Sequence, residues 1–469
     1  MAVSLLLLMG NLIGSPGRIR GAAGLPCSLP PGEWAATSLE RAPDPTRPRL
    51  AAWTGTRLLV VNQNGAAGLF DVCENRWTRV STEGFPEHLA MYGDRLNYPP
   101  VAVGNYVVFL YSGKYGSLSP FASASAAVIY DIERNRWRLA ETRGAPSPRA
   151  DAVVAGTGRE VIVWGGRGQP SGRDAVLDDG ALLDPASGRW RPVSRVNAPS
   201  PRTAVVAATV WTGTRLVIWD GGSTSHDGAM YDPRADRWTP ITTSGAPTRR
   251  AGAFALTHSH YVVIWGGAGK TDGGILDVQT NSWQPIPSAP AEFAEASFPR
   301  EYRVYLDGNH LVVVSPQMGA ATVALGDRRW IAVQGHPPAF TGFLPDFVID
   351  DPSVVIHVGC QFATGVVPKR QCLQTGWIAQ VNVEQERWEA AHFPARGAPP
   401  SVVGASTLWT GDRLIIWGGF EVVPDPGGRT GCEGAQRPCD PVAPTKSVFH
   451  REGGMLRPLF SSREASRQP

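Results

Sequence analysis

One unit of about 50 residues recurs along this chain, and nothing else in the sequence restricts the fold so strongly. Its clearest copy begins with a small, apolar first strand, Thr203 to Trp211, followed by a turn at Thr212-Gly213. A second strand, Arg215 to Trp219, is closed by Gly221-Gly222. A third strand ends Met230-Tyr231-Asp232, a turn runs through Arg234-Ala235-Asp236, and Trp238 opens the fourth. The link Gly245-Ala246-Pro247 leads into the next copy. Short apolar runs punctuated by Gly, Pro, Asn and Asp read as strands and hairpins, and no stretch of helical period competes.

The parts return in register. The first hairpin recurs at Trp53-Thr54-Gly55 and Trp409-Thr410-Gly411, and Trp-Gly-Gly closes second strands at Trp164, Trp265 and Trp417. An apolar residue, Asp, and a Trp six residues later recur at Asp71/Trp77, Asp131/Trp137, Asp184/Trp190, Asp232/Trp238 and Asp277/Trp283. Weaker copies end at Trp330 and Trp388, and the last has Leu456 where Trp is expected. Small residues such as Ala207, Ala208, Ala251 and Ala253 suit first strands crowded round a common axis. The Gly pair suits a sharp turn at the end of strand two. One Trp per unit supplies a flat face for packing between neighbouring sheets, and this register favours packing over a sugar-stacking surface.

The Gly pair, the spaced aromatic and the Trp together resemble the kelch repeat, from about Arg49 to Leu459. The chain is similar to bacterial kelch-repeat proteins whose propeller is of the galactose-oxidase central-domain kind. The resemblance implies an all-β, kelch-type β-propeller of four-stranded blades, closed by pairing of its N- and C-terminal strands. Unit starts near residues 50, 100, 150, 203, 251, 301, 346 and 402 favour eight blades; seven stay open if the units around Trp330 or Trp388 are not true blades. Glu33-Trp34 reads as a spare fourth strand that completes the last unit, whose own fourth strand is placed at Met455 to Pro458. The organisation expected is therefore a leader at 1–24, an N-terminal segment at 25–48, the propeller at 49–459 and a disordered tail at 460–469.

The leader rests on the run Leu5 to Met9, which has the length of a signal-peptide core and is too short to span a bilayer. It points to export, to a periplasmic, secreted or cell-surface protein without a membrane span. Six cysteines, an even number, agree: Cys27 with Cys73, Cys360 with Cys372, and Cys432 with Cys439 are natural neighbours in Gly- and Pro-rich loops. Each such disulfide contributes about 2–3 kcal/mol and persists in oxidising compartments. Net charge is only +3, with no basic block, which gives nucleic acid no footprint. A monomer is expected.

Function must lie in what the units do not share. The loops between strands two and three are long at 112–125, 167–179, 361–374 and 420–445, whereas the opposite loops are short turns. Beside them, links carry Pro-Arg at Arg49, Arg149, Arg202 and Arg300, with Arg249-Arg250 in the same place. Two readings compete for Arg149, Arg202, Arg250 and Arg300. They form a ring of guanidinium groups that clamps an anion, or they pair internally with carbonyls and acids. His226, with Asp227, is the further ligand-binding candidate. His258 and His260 occupy a hairpin turn without a third ligand, and Asp425, Glu433 and Asp440 lack calcium-site spacing. No nucleophile elbow, P-loop or nucleotide fingerprint is present, so no catalytic set, metal or cofactor is assigned. The leading expectation is an exported module binding a protein or glycan through the long-loop face. The resemblance also implies two enzyme alternatives, a copper-radical oxidase or a sialic-acid epimerase; a structural surface role is the third.

Overall fold

The computed structural model describes residues 27, 29–44, 48–62, 66–85, 98–111, 126–169, 173–221, 226–290, 293, 303–315, 319–335, 355–357, 377–394, 396–399, 406–410, 412–418, 420–424, 445–449 and 452–458. Among these residues all regular elements are β-strands. The repeat becomes a sheet each time, with consecutive strands paired antiparallel. We number the sheets along the chain. Sheet 1 is Pro48–Trp53, Arg57–Asn62, Ala67–Asp71 and Arg76–Arg79. Sheets 2 to 6 repeat that order, beginning at Val101, Val153, Ala208, Phe254 and Arg303. The degenerate unit ending at Trp330 gives sheet 6, and the one ending at Trp388 gives, among the described residues, a three-stranded sheet 7 of Val355–His357, Trp377–Asn382 and Arg387–His392.

Sheet 8 corrects one expectation. Gly453–Leu456 pairs with Leu414–Trp417 and is the third strand of the last unit, not the fourth. The fourth strand is Trp34–Ala36, which pairs with Gly454 to Leu456 from the other end of the chain. Trp34 therefore stands where the last unit lacks its Trp. A second correction concerns Thr203 to Ala207, placed by sequence in a first strand. Ala208 lies six positions after Arg202, whereas Val153 and Phe254 lie four positions after Arg149 and Arg250. The two extra residues form a turn in which the Val206 and Ala207 amides donate to the Thr203 carbonyl.

The core lies between sheets. Sheet 1 packs on sheet 2 through Leu59, Leu69, Phe109 and Tyr130, and on sheet 8 through Leu58, Val60, Ile415 and Trp417. Similar layers join sheets 3 and 4, 4 and 5, 5 and 6, and 6 and 7. Where strand two ends in Trp, that Trp meets the strand-four Trp of the next sheet. Centroids are 4.9 Å apart for Trp417 and Trp77, 5.4 Å for Trp164 and Trp238, and 4.9 Å for Trp219 and Trp283. Tilted pairs at this distance add to the stabilisation from buried area.

The turn between strands three and four does two further jobs. Its Asp caps it: Asp71, Asp131, Asp184, Asp232 and Asp277 accept amides two or three residues ahead. Its last residue, held at positive φ, reaches back to the preceding sheet. The Oδ1 atoms of Asn75, Asn135, Asp236 and Asn281 accept the amides of Ser38, Ser81, Ser194 and Thr242. The three asparagines also donate to the carbonyls of Ala36, Arg79 and Pro240. Asn tolerates this left-handed backbone better than most residues. Replacing Asn135 by Ala removes three hydrogen bonds, those from the Ser81 amide and the Tyr130 hydroxyl and that to the Arg79 carbonyl. A loss of about 1–2 kcal/mol is expected, seen as a lower guanidinium unfolding midpoint.

Candidate functional site

The rim on the side of the strand two–three loops is built from three converging segments per sheet. These are the link into strand one, the end of strand two, and the start of strand three. Gly opens strand three because the chain passes against strand two. A methyl group at Gly180, Gly228, Gly273 or Gly453 would overlap the carbonyl of Val163, Ile218, Ile264 or Ile416.

One arginine ties the three segments in sheets 3, 4 and 5. Arg149 donates through Nε to the Ser147 carbonyl (2.9 Å). Its Nη1 reaches the carbonyls of Gly165 (3.1 Å) and Asp179 (3.0 Å) and the Asp179 carboxylate (2.9 Å). Arg202 binds the carbonyls of Ser200, Asp220 and Asp227 and the Asp227 carboxylate at 2.6 Å. Arg250 binds the carbonyls of Thr248, Gly266 and Asp272 and pairs with the Asp272 carboxylate at 3.0 Å. All three side chains are 0% exposed. The structure thus realises internal pairing for Arg149, Arg202 and Arg250. Their planar forks are filled from within, and no face of them is left to clamp an anion. Arg300 lies outside the described residues, as does the side chain of Arg49.

The arginine ties were half visible in the sequence. Their partners, Asp179, Asp227 and Asp272, each directly precede the Gly that opens strand three, and this Asp-Gly recurrence is legible once the Arg is placed beside it. The amide of the tying arginine needs a partner too, because it is buried. In sheet 3 the carbonyl of Leu177 accepts from Arg202, on the chain returning from a hairpin over the rim. The corresponding amide of Arg250 donates instead to a side chain, Asp220 Oδ2, at 2.6 Å.

Asp220 was not singled out by sequence. It occupies the place of Gly165 and Gly266, so the turning pair in sheet 4 is Asp220-Gly221 rather than Gly221-Gly222. Its φ of 52° is left-handed, and it is 1% exposed. Its Oδ1 accepts the Gly221 amide, and its Oδ2 faces His226 Nδ1 at 3.3 Å. The His226 ring stands edge-on to Trp219, with centroids 5.1 Å apart. His226 is partly exposed at the rim, tethered to a buried carboxylate. Nearby, Tyr98 bridges two links: its hydroxyl donates to the Arg149 carbonyl and accepts the Ala152 amide. Burial pushes the Tyr98 pKa up to about 12 against the Ala152 hydrogen bond, which favours the anion.

Two of the long loops add structure beyond the sheets. In sheet 3, Arg167–Gly168 and Ala175–Val176 form a hairpin that also pairs with Arg149–Ala150 of the link. In sheet 8, Phe420–Pro424 pairs with Thr445–Phe449. The loops at 112–125 and 361–374, with the loop acids Asp425, Glu433 and Asp440, fall outside the described residues. So do Cys360, Cys372, Cys432 and Cys439. Turns on the opposite side are short, and three are closed by a Thr hydroxyl: Thr54, Thr157 and Thr212 accept the amide three residues on. His258 and His260 flank such a turn at Ser259, and His260 stacks on Tyr261.

Cys27 and Cys73 form a disulfide, with Cα atoms 5.0 Å apart. Among the described residues no three His, Cys, Asp or Glu side chains gather as a metal site, and no helix is long and apolar enough to cross a membrane. Residues 99–313 match the family model described as the KLHDC2/KLHL20/DRC7 Kelch-repeats domain. No curated protein matches the chain. The matched stretch begins just before sheet 2 and ends within strand two of sheet 6, and the sheets on both sides keep its strand order and most of its Trp positions. Residues 99–313 are thus similar to a kelch-repeat domain, and the fold is that of a kelch-type β-propeller.

Proposed function

We propose that this protein is a binding propeller of eight blades, one for each sheet, that recognises a protein partner on its strand two–three face. The observation that carries the reading is the asymmetry of the two sides. One side bears short turns, three of them closed by Thr, whereas the other bears added hairpins within 167–176 and 420–449. Recognition concentrates on loops that a rigid scaffold holds in place. Kelch domains generally mediate protein binding, which favours a protein over a glycan. The arginine ties make the rim rigid, so its hairpins are presented without a large ordering cost. The Cys27–Cys73 disulfide supports residence in an oxidising, extracytoplasmic compartment, where such bonds persist.

The test shortens only the hairpin tips. Residues 169–174 and 425–444 are each replaced by Asn-Gly, which joins the paired residues Gly168 and Ala175, or Pro424 and Thr445. A displayed peptide library is selected on the intact chain, and the winners are measured on both proteins. Loss of at least about tenfold in affinity on the shortened protein, with its unfolding midpoint kept, is the expected result. Equal binding to both proteins moves the site off this face. Binders found on a glycan array and none among peptides would replace the protein partner with a sugar.

A further inference from the structure

We infer that the Cys27–Cys73 disulfide is a redox latch on closure of the ring. The strand that completes sheet 8 is only three residues long, Trp34–Ala36, and it lies at the outer edge of its sheet. Among the described residues its other ties include a bridge between Pro31 and Arg457. Gly32 and Thr37 donate to the Arg457 and Gly453 carbonyls, Asn75 holds Ala36 and Ser38, and Trp34 meets Phe393 edge-on at 5.6 Å. Short outer strands near a chain end open more readily than the rest of a fold.

The disulfide changes that topology. Cys73 sits in the strand three–four turn of sheet 1, two residues from Asn75. Cys27 lies seven residues before Trp34. The strand is thereby held on both sides, by the bond to Cys73 and by the chain that enters sheet 1 at Pro48. Sheet 8 itself grips the anchor, because Arg413 donates to the Cys27 carbonyl at 3.2 Å and to its sulfur at 3.1 Å while paired with Asp412. Reduction by a dithiol transfers two electrons and two protons, giving two thiols and a cyclic disulfide of the reductant. The strand then loses its anchor at Cys27 and can peel from Gly453–Leu456. The inference rests on the disulfide and the strand pairing and is independent of the partner-binding reading.

The test is hydrogen exchange by mass spectrometry on the full chain, oxidised and after reduction with a dithiol. The Cys27→Ser/Cys73→Ser variant separates this bond from the other cysteines. Amides at 34–36 and 453–456 should exchange at least about tenfold faster in the reduced wild type and in the variant. Peptides of sheet 4 (Ala208–Pro240) should stay unchanged. Adding reductant to the variant should have no further effect at the seam. Equal protection in all states, or faster exchange throughout the chain, overturns the latch. So does the absence of a Cys27–Cys73 linked peptide in a non-reduced digest. Where the variant fails to fold, reduction and alkylation of the folded wild type carry the comparison.

Discussion

Arg202→Ala is expected to lower stability by about 3 kcal/mol, measured by guanidinium unfolding followed through Trp fluorescence. The guanidinium contacts the carbonyls of Ser200, Asp220 and Asp227 and the Asp227 carboxylate, and it is closed to solvent. Its removal strands those acceptors beneath the rim. Water reaches Asp227, which is 36% exposed, so the cost falls at the lower end of the range for breaking a buried pair. Arg202→Lys should recover less than half of the loss, because an ammonium on a flexible stem cannot reproduce the flat fork that spans three segments. Unchanged stability in Arg202→Ala, together with lost binding of an anionic ligand, would restore the anion-clamp reading for this residue.

Trp34→Ala is expected to be comparably severe, at about 3–5 kcal/mol, for a different reason. Trp34 is 8% exposed and fills the position that a fourth-strand Trp occupies in other sheets. It packs on Phe393 of the preceding unit, and the Gly397 and Gly454 backbones lie close to its ring or backbone. Truncation empties the seam between sheets 7 and 8 and weakens the hold of a three-residue strand. The loss should therefore appear first as faster exchange at 453–456 and as a lower thermal midpoint. An unfolding midpoint equal to that of wild type would show that the ring does not depend on this strand.

These two residues mark how far the sequence could be read. The Trp of each fourth strand and the Asp six residues before it announced sheets and seams correctly, because both act within one repeat and its neighbour. Asp caps its own turn, and Trp faces the preceding sheet, so their spacing carries their role. The arginines beside the links stood in a recurring pattern as well, yet periodicity alone left two roles open. Whether a guanidinium faces a channel or a wall of carbonyls depends on where three segments, up to 30 residues apart in the case of Arg149 and Asp179, come together.

By itself, then, the sequence determined the unit: a four-stranded antiparallel sheet with a glycine at its tight passages, a capped turn and one Trp. Those are local consequences of backbone sterics and of short apolar runs bounded by turn residues. The tertiary structure alone decided the rest. Arg149, Arg202 and Arg250 became internal ties because their desolvated forks found every partner inside the sheet. Asp220 took a glycine's left-handed place because the buried Arg250 amide needed an acceptor. Trp34–Ala36, more than 400 residues distant from Gly453–Leu456, became the last fourth strand because a closed ring leaves one sheet with an unpaired edge and one exposed seam. That demand belongs to the ring as a whole, and no single repeat contains it.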